Sequence, residues 1–445
     1  MTDLCKLSAI EAAKCIAKGD LASETLIKAS LDCIAKLEPS IQAWAFLDRE
    51  RVLEQGRNAD LERQAGKGVG PLHGVPVGIK DIIDTADMPT EHGCAAFKGR
   101  QPVEDAASIT ALKRAGAVIL GKTVTTELAT HVPSQTRNPV SLEHTPGGSS
   151  SGSAAAVAAG MVPIAVGTQT GGSVIRPAAF CGVYGFKPTF GVIPRSGVLT
   201  QASSLDTIGV FGRSIDDVAL AADAMQAYDP RDPASLSTSR SSFLKTAMED
   251  WPLPPLFAFV KTHAWTRTDA ATQEAFGELV EELGGQVSEV ILDNTTESGL
   301  AAAKTVQDAE MAANYGDILE RSPGLVSESL AARIEAGKRV RAVDYYAALN
   351  DRQRFYTSVQ EVFLDYGTVL TPAALGPAPK DLGTTGDPVF CGFWTYLGVP
   401  AVTLPLLQAD GLPIGVQLVG SRRDDGRLLR SARWLVRRLH EAATS

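Results

Sequence analysis

Apolar and polar positions change period several times along this chain, and each change predicts an element. Ser8 and Glu11 form a capping box ahead of a helix that ends at Gly19, and a second helix is expected over 23–36, stopped by Pro39. After a glycine-rich turn at 66–70, Val75, Val77 and Ile79 alternate with small or polar partners, a strand that Lys80 closes. From Ser108 the pattern ITALKRAGAVILGKT predicts a helix to Gly116 and a short buried strand over 117–120. An alanine-rich helix and an apolar strand separate Ser149 from Ser173. Ser214 caps a helix through Asp217, Leu220 and Met225, and residues 226–250 read as polar and irregular. A helix over 270–283 ends at Gly284 ahead of the strand QVSEVIL, and helical patterns return at 299–321 and 344–363. GTVLTPAA, VPAVTLPL and IGVQLVG then read as core strands.

This alternation predicts an α/β fold: a single large domain whose mixed central β-sheet is covered by helices on both faces. Its segments are an N-terminal helical stretch (1–65), a core (70–225), a variable cap-like region (226–345) and a return to the core sheet with a C-terminal helix (346–445). The chain has 445 residues, 44% of them hydrophobic, and no Pro/Ser-rich linker divides it.

A net charge of −9 argues against nucleic acid as a partner, since the only basic run, 422–438, reads as the solvated face of a helix. The six cysteines are scattered without a CxxC pair, so neither zinc nor a disulfide framework is expected. The N-terminus lacks a basic stretch followed by an apolar run, and no uninterrupted run of membrane-spanning length occurs. A cytoplasmic protein without membrane contact is expected.

Three motifs invite chemistry. GAVILGKT, from Gly116 to Thr123, matches the phosphate-loop pattern, but its strand lies inside the motif rather than before it, and the match is rejected. GSSSG fits a nucleophile elbow with Ser150 at its centre, yet PVSLEHTPG before it is turn-like, and His263 and His440 stand in no obvious loop after a core strand. A buried lysine is the other route to an activated serine. Lys80 ends an apolar strand, and lowering it from roughly 10.4 to about 7 takes on the order of 4 kcal/mol of desolvation and neighbour effects. Taken alone, pairing with Asp81 or Asp84 is the better reading of Lys80, and the glycine runs could equally be packing devices in a binding protein.

VGIKD, PGGSSSGSAAAVA and TGGSVIRPAAFCGVYGFKPT together resemble the amidase signature family. GKTVTTELA, SLDTIGVFGRS, VLTPA and LGVPAVTLPL with GLPIGVQLVG extend the likeness, which is strong over 70–225 and good over 360–420. The resemblance implies Ser173 as nucleophile, Ser149 as a bridging serine on a cis peptide bond and Lys80 as base. It also implies an oxyanion hole from the N–H groups of Thr170, Gly171, Gly172 and Ser173, with no metal or cofactor.

The common family segment has aspartate where this chain has Gln169, and its arginine falls one place later here, at Arg176. That variant is similar to bacterial malonamidases, in which the arginine holds a substrate carboxylate; Arg176 reads equally as a tie for the loop. Ser151 replaces a usual glycine, Thr395 stands where asparagine is common, and Glu127 reads as structural or substrate-facing alike. Gln169, His131, Phe393 and Trp394 complete the candidate substrate-binding set, although aromatics beside a core strand more often serve packing.

The expected activity is hydrolysis of a small carboxylate-bearing amide such as malonamate, by a homodimer whose partner is the small-molecule substrate alone. The alternatives are a broad amidase for aryl amides, anilides or carbamates, the A subunit of a tRNA-dependent amidotransferase, and a non-catalytic binding protein on the same fold.

Overall fold

The strands that carry the site are fully buried apolar runs, and they sit in the middle of one sheet. The computed structural model describes all residues except 1–3, 68, 69, 238, 240 and 445, so part of the expected glycine turn at 66–70 lies outside the described residues. Among the described residues eleven strands form the sheet: β1 (Trp44–Leu47), β2 (Pro76–Lys80), β3 (Val118–Thr123), β4 (Ile164–Gln169), β5 (Tyr184–Lys187), β6 (Thr207–Gly212), β7 (Phe257–Lys261), β8 (Val287–Ile291), β9 (Thr368–Pro372), β10 (Ala401–Ala409) and β11 (Leu412–Gly420). Their order is β1-β3-β2-β4-β6-β5-β10-β11-β9-β7-β8. β3, β2 and β4 run parallel, as do β9, β7 and β8, while antiparallel pairs join the two groups; the sheet is mixed, as expected. β7 and β8, from the stretch expected to form a cap, complete one edge.

Strand alternation sends side chains to two helical layers. Ile164, Val166, Ile208 and Val210 join one core cluster with Ile109, Val218 and Leu429 of the helices Ala107–Arg114, Ile215–Met225 and Asp425–Thr444. Ala165 and Phe211 face the other way, onto Ile27, Leu31 and Ile34 of Ser23–Ile41 and the alanines of Ser151–Ala158. The capping box at Ser8 and Glu11 is present.

Two local expectations need correction. The helix from Ser23 runs through Pro39 to Ile41, because proline in the last turn removes only one backbone bond, and the Glu38 carboxylate then accepts from Ala43 and Trp44 N–H. β3 extends to Thr123, so the GKT of the phosphate-loop match is strand; Lys122 is fully buried and donates to the Ile83 carbonyl and Thr90 Oγ1. The basic run near the C-terminus lies largely on the helix Asp425–Thr444, where Arg427 and Arg437 are exposed as expected, and surface ion pairs join Arg430 to Glu249, Arg433 to Asp216 and Arg438 to Glu282. Among the described residues no helix is long and apolar enough to cross a membrane.

Candidate active site

β2 and β4 lie side by side and parallel, with Val77 opposite Ile164 and Ile79 opposite Val166, so their C-terminal ends open at one place. Lys80, the last residue of β2, is fully buried there. Its Nζ donates to Ser149 Oγ at 2.7 Å and to Thr168 Oγ1 at 2.8 Å. The carboxylates that could have claimed it are engaged elsewhere: Asp84 binds Arg100, and Asp81 faces Lys122 at 3.9 Å. Burial therefore brings the Lys80 amine down to about 7, against the opposing pull of the Asp206 charge.

Ser149 sits on the turn before the helix Ser151–Ala158, and the Gly148–Ser149 peptide is cis. No side chain fits at position 148, where a Cβ would lie 2.9 Å from methyl groups of both Thr126 and Thr385. The Ser149 carbonyl accepts from Thr126 N–H at 3.1 Å, and the Gly148 carbonyl accepts from Arg176 Nη2 at 2.7 Å. Ser150 is not poised like an elbow nucleophile: its Oγ is clipped to the Thr168 backbone, donating to the carbonyl and accepting from the N–H. His263 is turned to Thr296 instead.

Ser173 follows β4 on the loop that leads into the helix Ile175–Cys181. Gln169 organises this loop. Its Oε1 accepts from Val174 and Ile175 N–H at 2.8 and 3.0 Å, and its Nε2 donates to Thr395 Oγ1 at 2.9 Å. Among the described residues no protein acceptor meets the N–H groups of Thr170, Gly171, Gly172 or Ser173. Thr170 Oγ1 donates to Asp206, whose other oxygen accepts from Gln201 and Ala202 N–H. Burial pushes Asp206 up to about 6.

Arg176 ties the two serine loops together. Nε donates to the Thr385 carbonyl at 2.6 Å and Nη2 to that of Gly148, while the buried Nη1, which faces Gly172, has no hydrogen-bond partner among the described residues. Among the described residues no carboxylate pairs with this guanidinium, and burial lowers its pKa. Phe393 and Trp394 are corrected from substrate contacts to packing: they lie on the helix Gly392–Leu397, 2% and 1% exposed, within an aromatic cluster with Phe355 and Tyr396. Glu127 is structural, its carboxylate accepting from Ser327. His131 lines a cavity of about 610 Å³ that opens onto Thr170 and Gly171, with Leu300, Arg333 and Val389 on its other walls. A cavity of about 690 Å³ beside Cys33 and Cys181 is lined by none of the candidate site residues. Among the described residues no cluster of His, Cys, Asp or Glu could hold a metal ion. Thr168, Asp206 and Thr385 carried no signal that sequence reasoning used, although Asp206 lies in a segment matched to the family.

A buried amine wired to a serine beside free backbone donors is the equipment of an amide-hydrolysing enzyme. The chain belongs to the Amidase family, whose model matches residues 25–429. It is similar to the A subunit of the glutamyl-tRNA(Gln) amidotransferase of Rhodopirellula baltica, 35% identical with 95% of each chain covered. The protein of the same name from Carboxydothermus hydrogenoformans is 34% identical over 97% of this chain and 96% of its own. Among solved structures, a chain from a study of a vestigial protein complex and the origins of an s-triazine catabolic enzyme superposes with a TM-score of 0.90. It is 28% identical, with 97% and 98% covered. The peptide amidase of Stenotrophomonas maltophilia gives 0.85 at 27% identity, with 98% and 97% covered. These relatives correct the expected partners. A homodimer with a small amide as sole partner is replaced by the precedent of named subunits of an enzyme acting on a tRNA.

Proposed function

We propose that this chain cleaves a small amide through a seryl acyl-enzyme and works as the A subunit of a tRNA-dependent amidotransferase. The observation that carries the chemistry is the Lys80 amine, buried, brought down to about 7 and 2.7 Å from Ser149 Oγ. Neutral Lys80 takes the Ser149 proton as Ser149 takes that of Ser173. Ser173 Oγ then bonds to the amide carbon, and the carbonyl electron pair moves onto oxygen. The N–H groups of Thr170, Gly171, Gly172 and Ser173 receive that charge, each well-aimed donor being worth about 3 kcal/mol. Collapse breaks the C–N bond, the proton held by Lys80 returns through Ser149 to the leaving nitrogen, and water releases the acyl group. Support for the subunit role is the identity spread over nearly the whole length of the relatives.

Arg176 favours an acyl donor that carries a carboxylate, with malonamate as a second reading of the substrate. A buried cation with no carboxylate paired to it is costly, and a planar carboxylate facing Nη1 offsets that cost. Ammonia release from malonamate and L-glutamine tests the chemistry: Ser173→Ala lowers kcat by at least about 10³-fold, and retained turnover removes Ser173 from the mechanism. Affinity capture of the tagged chain from its native cells tests the subunit role. It should retrieve further amidotransferase subunits, and recovery of a lone chain at its full hydrolytic rate contradicts the role.

A further inference from the structure

From the same loop we infer that Thr395 is a positioning residue that aims one oxyanion donor, an inference that rests on the acyl-enzyme reading above. The peptide between Gly171 and Gly172 has no side chain on either flank, and glycine dihedrals are the softest in the chain. Left alone, that peptide rotates at little cost, and the Gly172 N–H swings with it. Thr395 is 1% exposed on the helix Gly392–Leu397, and its Oγ1 donates to the Gly171 carbonyl at 2.6 Å, with the Cys391 carbonyl second at 3.0 Å. The same hydroxyl accepts from Gln169 Nε2 at 2.9 Å, so its own orientation is fixed.

In a trans peptide the C=O and N–H point in opposite directions. Holding the Gly171 oxygen at the Thr395 hydroxyl therefore turns the Gly172 N–H away from that hydroxyl and fixes the direction in which it can donate. Packing closes the remaining freedom: a Cβ on Gly172 would lie 2.8 Å from Arg176 Nη1 and 3.1 Å from Cys391 Cβ, so the backbone lies flush against the helix. Gln169 links this anchor to the start of the next helix through Val174 and Ile175 N–H, which makes the loop one hydrogen-bonded unit.

The experiment compares Thr395→Val and Thr395→Ser with the parent chain. Ammonia release from malonamate and L-glutamine is measured alongside the rate at which a fluorophosphonate labels the protein, since its phosphoryl oxygen occupies the oxyanion position without any assumption about substrate. Thr395→Val should lower kcat and the labelling rate together by about 10- to 100-fold, short of the roughly 10²–10³ for deleting a donor, with KM within about threefold. Thr395→Ser keeps the hydroxyl and should stay within about threefold of the parent in all three. Unchanged labelling in Thr395→Val overturns the inference. So does a Ser variant as slow as a Val variant, which assigns the effect to the methyl group, or a rise in KM with kcat intact. If Ser173→Ala remains active, the acyl-enzyme reading itself falls, an outcome distinct from these.

Discussion

An ammonium ion deep in a protein loses the solvation of water, so Lys80 holds its proton weakly, with the Asp206 charge working the other way. A base must be neutral to act. Activity through Lys80 should therefore fall about tenfold per pH unit below about 7 and level off above it, read as kcat/KM against pH. Removing the opposing charge with Asp206→Asn lowers the Lys80 pKa further, so the midpoint of that limb moves to lower pH; an upward shift contradicts the assigned electrostatics. Lys80 at a strand end was legible from alternation and family likeness alone. Its release from Asp81 and Asp84 was not, because Arg100 and Lys122 reach those carboxylates only after the chain folds. Arg176 presents a mixed case: Nε and Nη2 hold two loops, and Nη1 has no hydrogen-bond partner among the described residues. Arg176→Ala should slow hydrolysis of neutral amides through the lost tie, and raise KM further for malonamate if Nη1 binds its carboxylate. An equal loss on both substrates assigns the residue to structure.

Among elements, the turn and helix around Ser149 show how glycine runs translate into close approach. A Cβ on Gly152 would lie 2.3 Å from the Ala43 carbonyl oxygen and 2.4 Å from Val124 N, both backbone atoms with little room to move. Gly152→Ala should thus cost roughly 1–3 kcal/mol or more, read as a lower denaturant midpoint with unchanged slope. The glycines marked this region in the sequence, while their contacts come from segments far along the chain, Thr385 and Thr395 among them, which follow no period. Long amphipathic helices and buried strands were legible for the opposite reason: their pattern repeats over many residues. The helix Glu328–Gly337 escaped notice because it buries only Leu330, Ile334 and Gly337, too few positions to set a period.

For the whole molecule, one mixed sheet with helices on both faces places the ends of β2 and β4 side by side, and the loops after them make the site. Partners were misjudged from net charge, since −9 describes the entire surface and says nothing of one docking face. The cavity of about 610 Å³ opens onto Thr170 and Gly171, and a role for it in substrate selection is tested at its walls. Leu300→Trp should narrow it and raise KM for bulky anilides more than for malonamate, with parallel changes assigning the cavity no role in selection. The proton path is tested most directly by the rate at which a fluorophosphonate modifies the chain from about pH 5.5 to about 9, with the modified peptide identified by mass spectrometry. One adduct is expected, on Ser173, forming at a rate that rises through about pH 7 and collapses in Lys80→Met. An adduct on Ser150, or a Ser173 adduct whose rate ignores both pH and Lys80, would contradict that path.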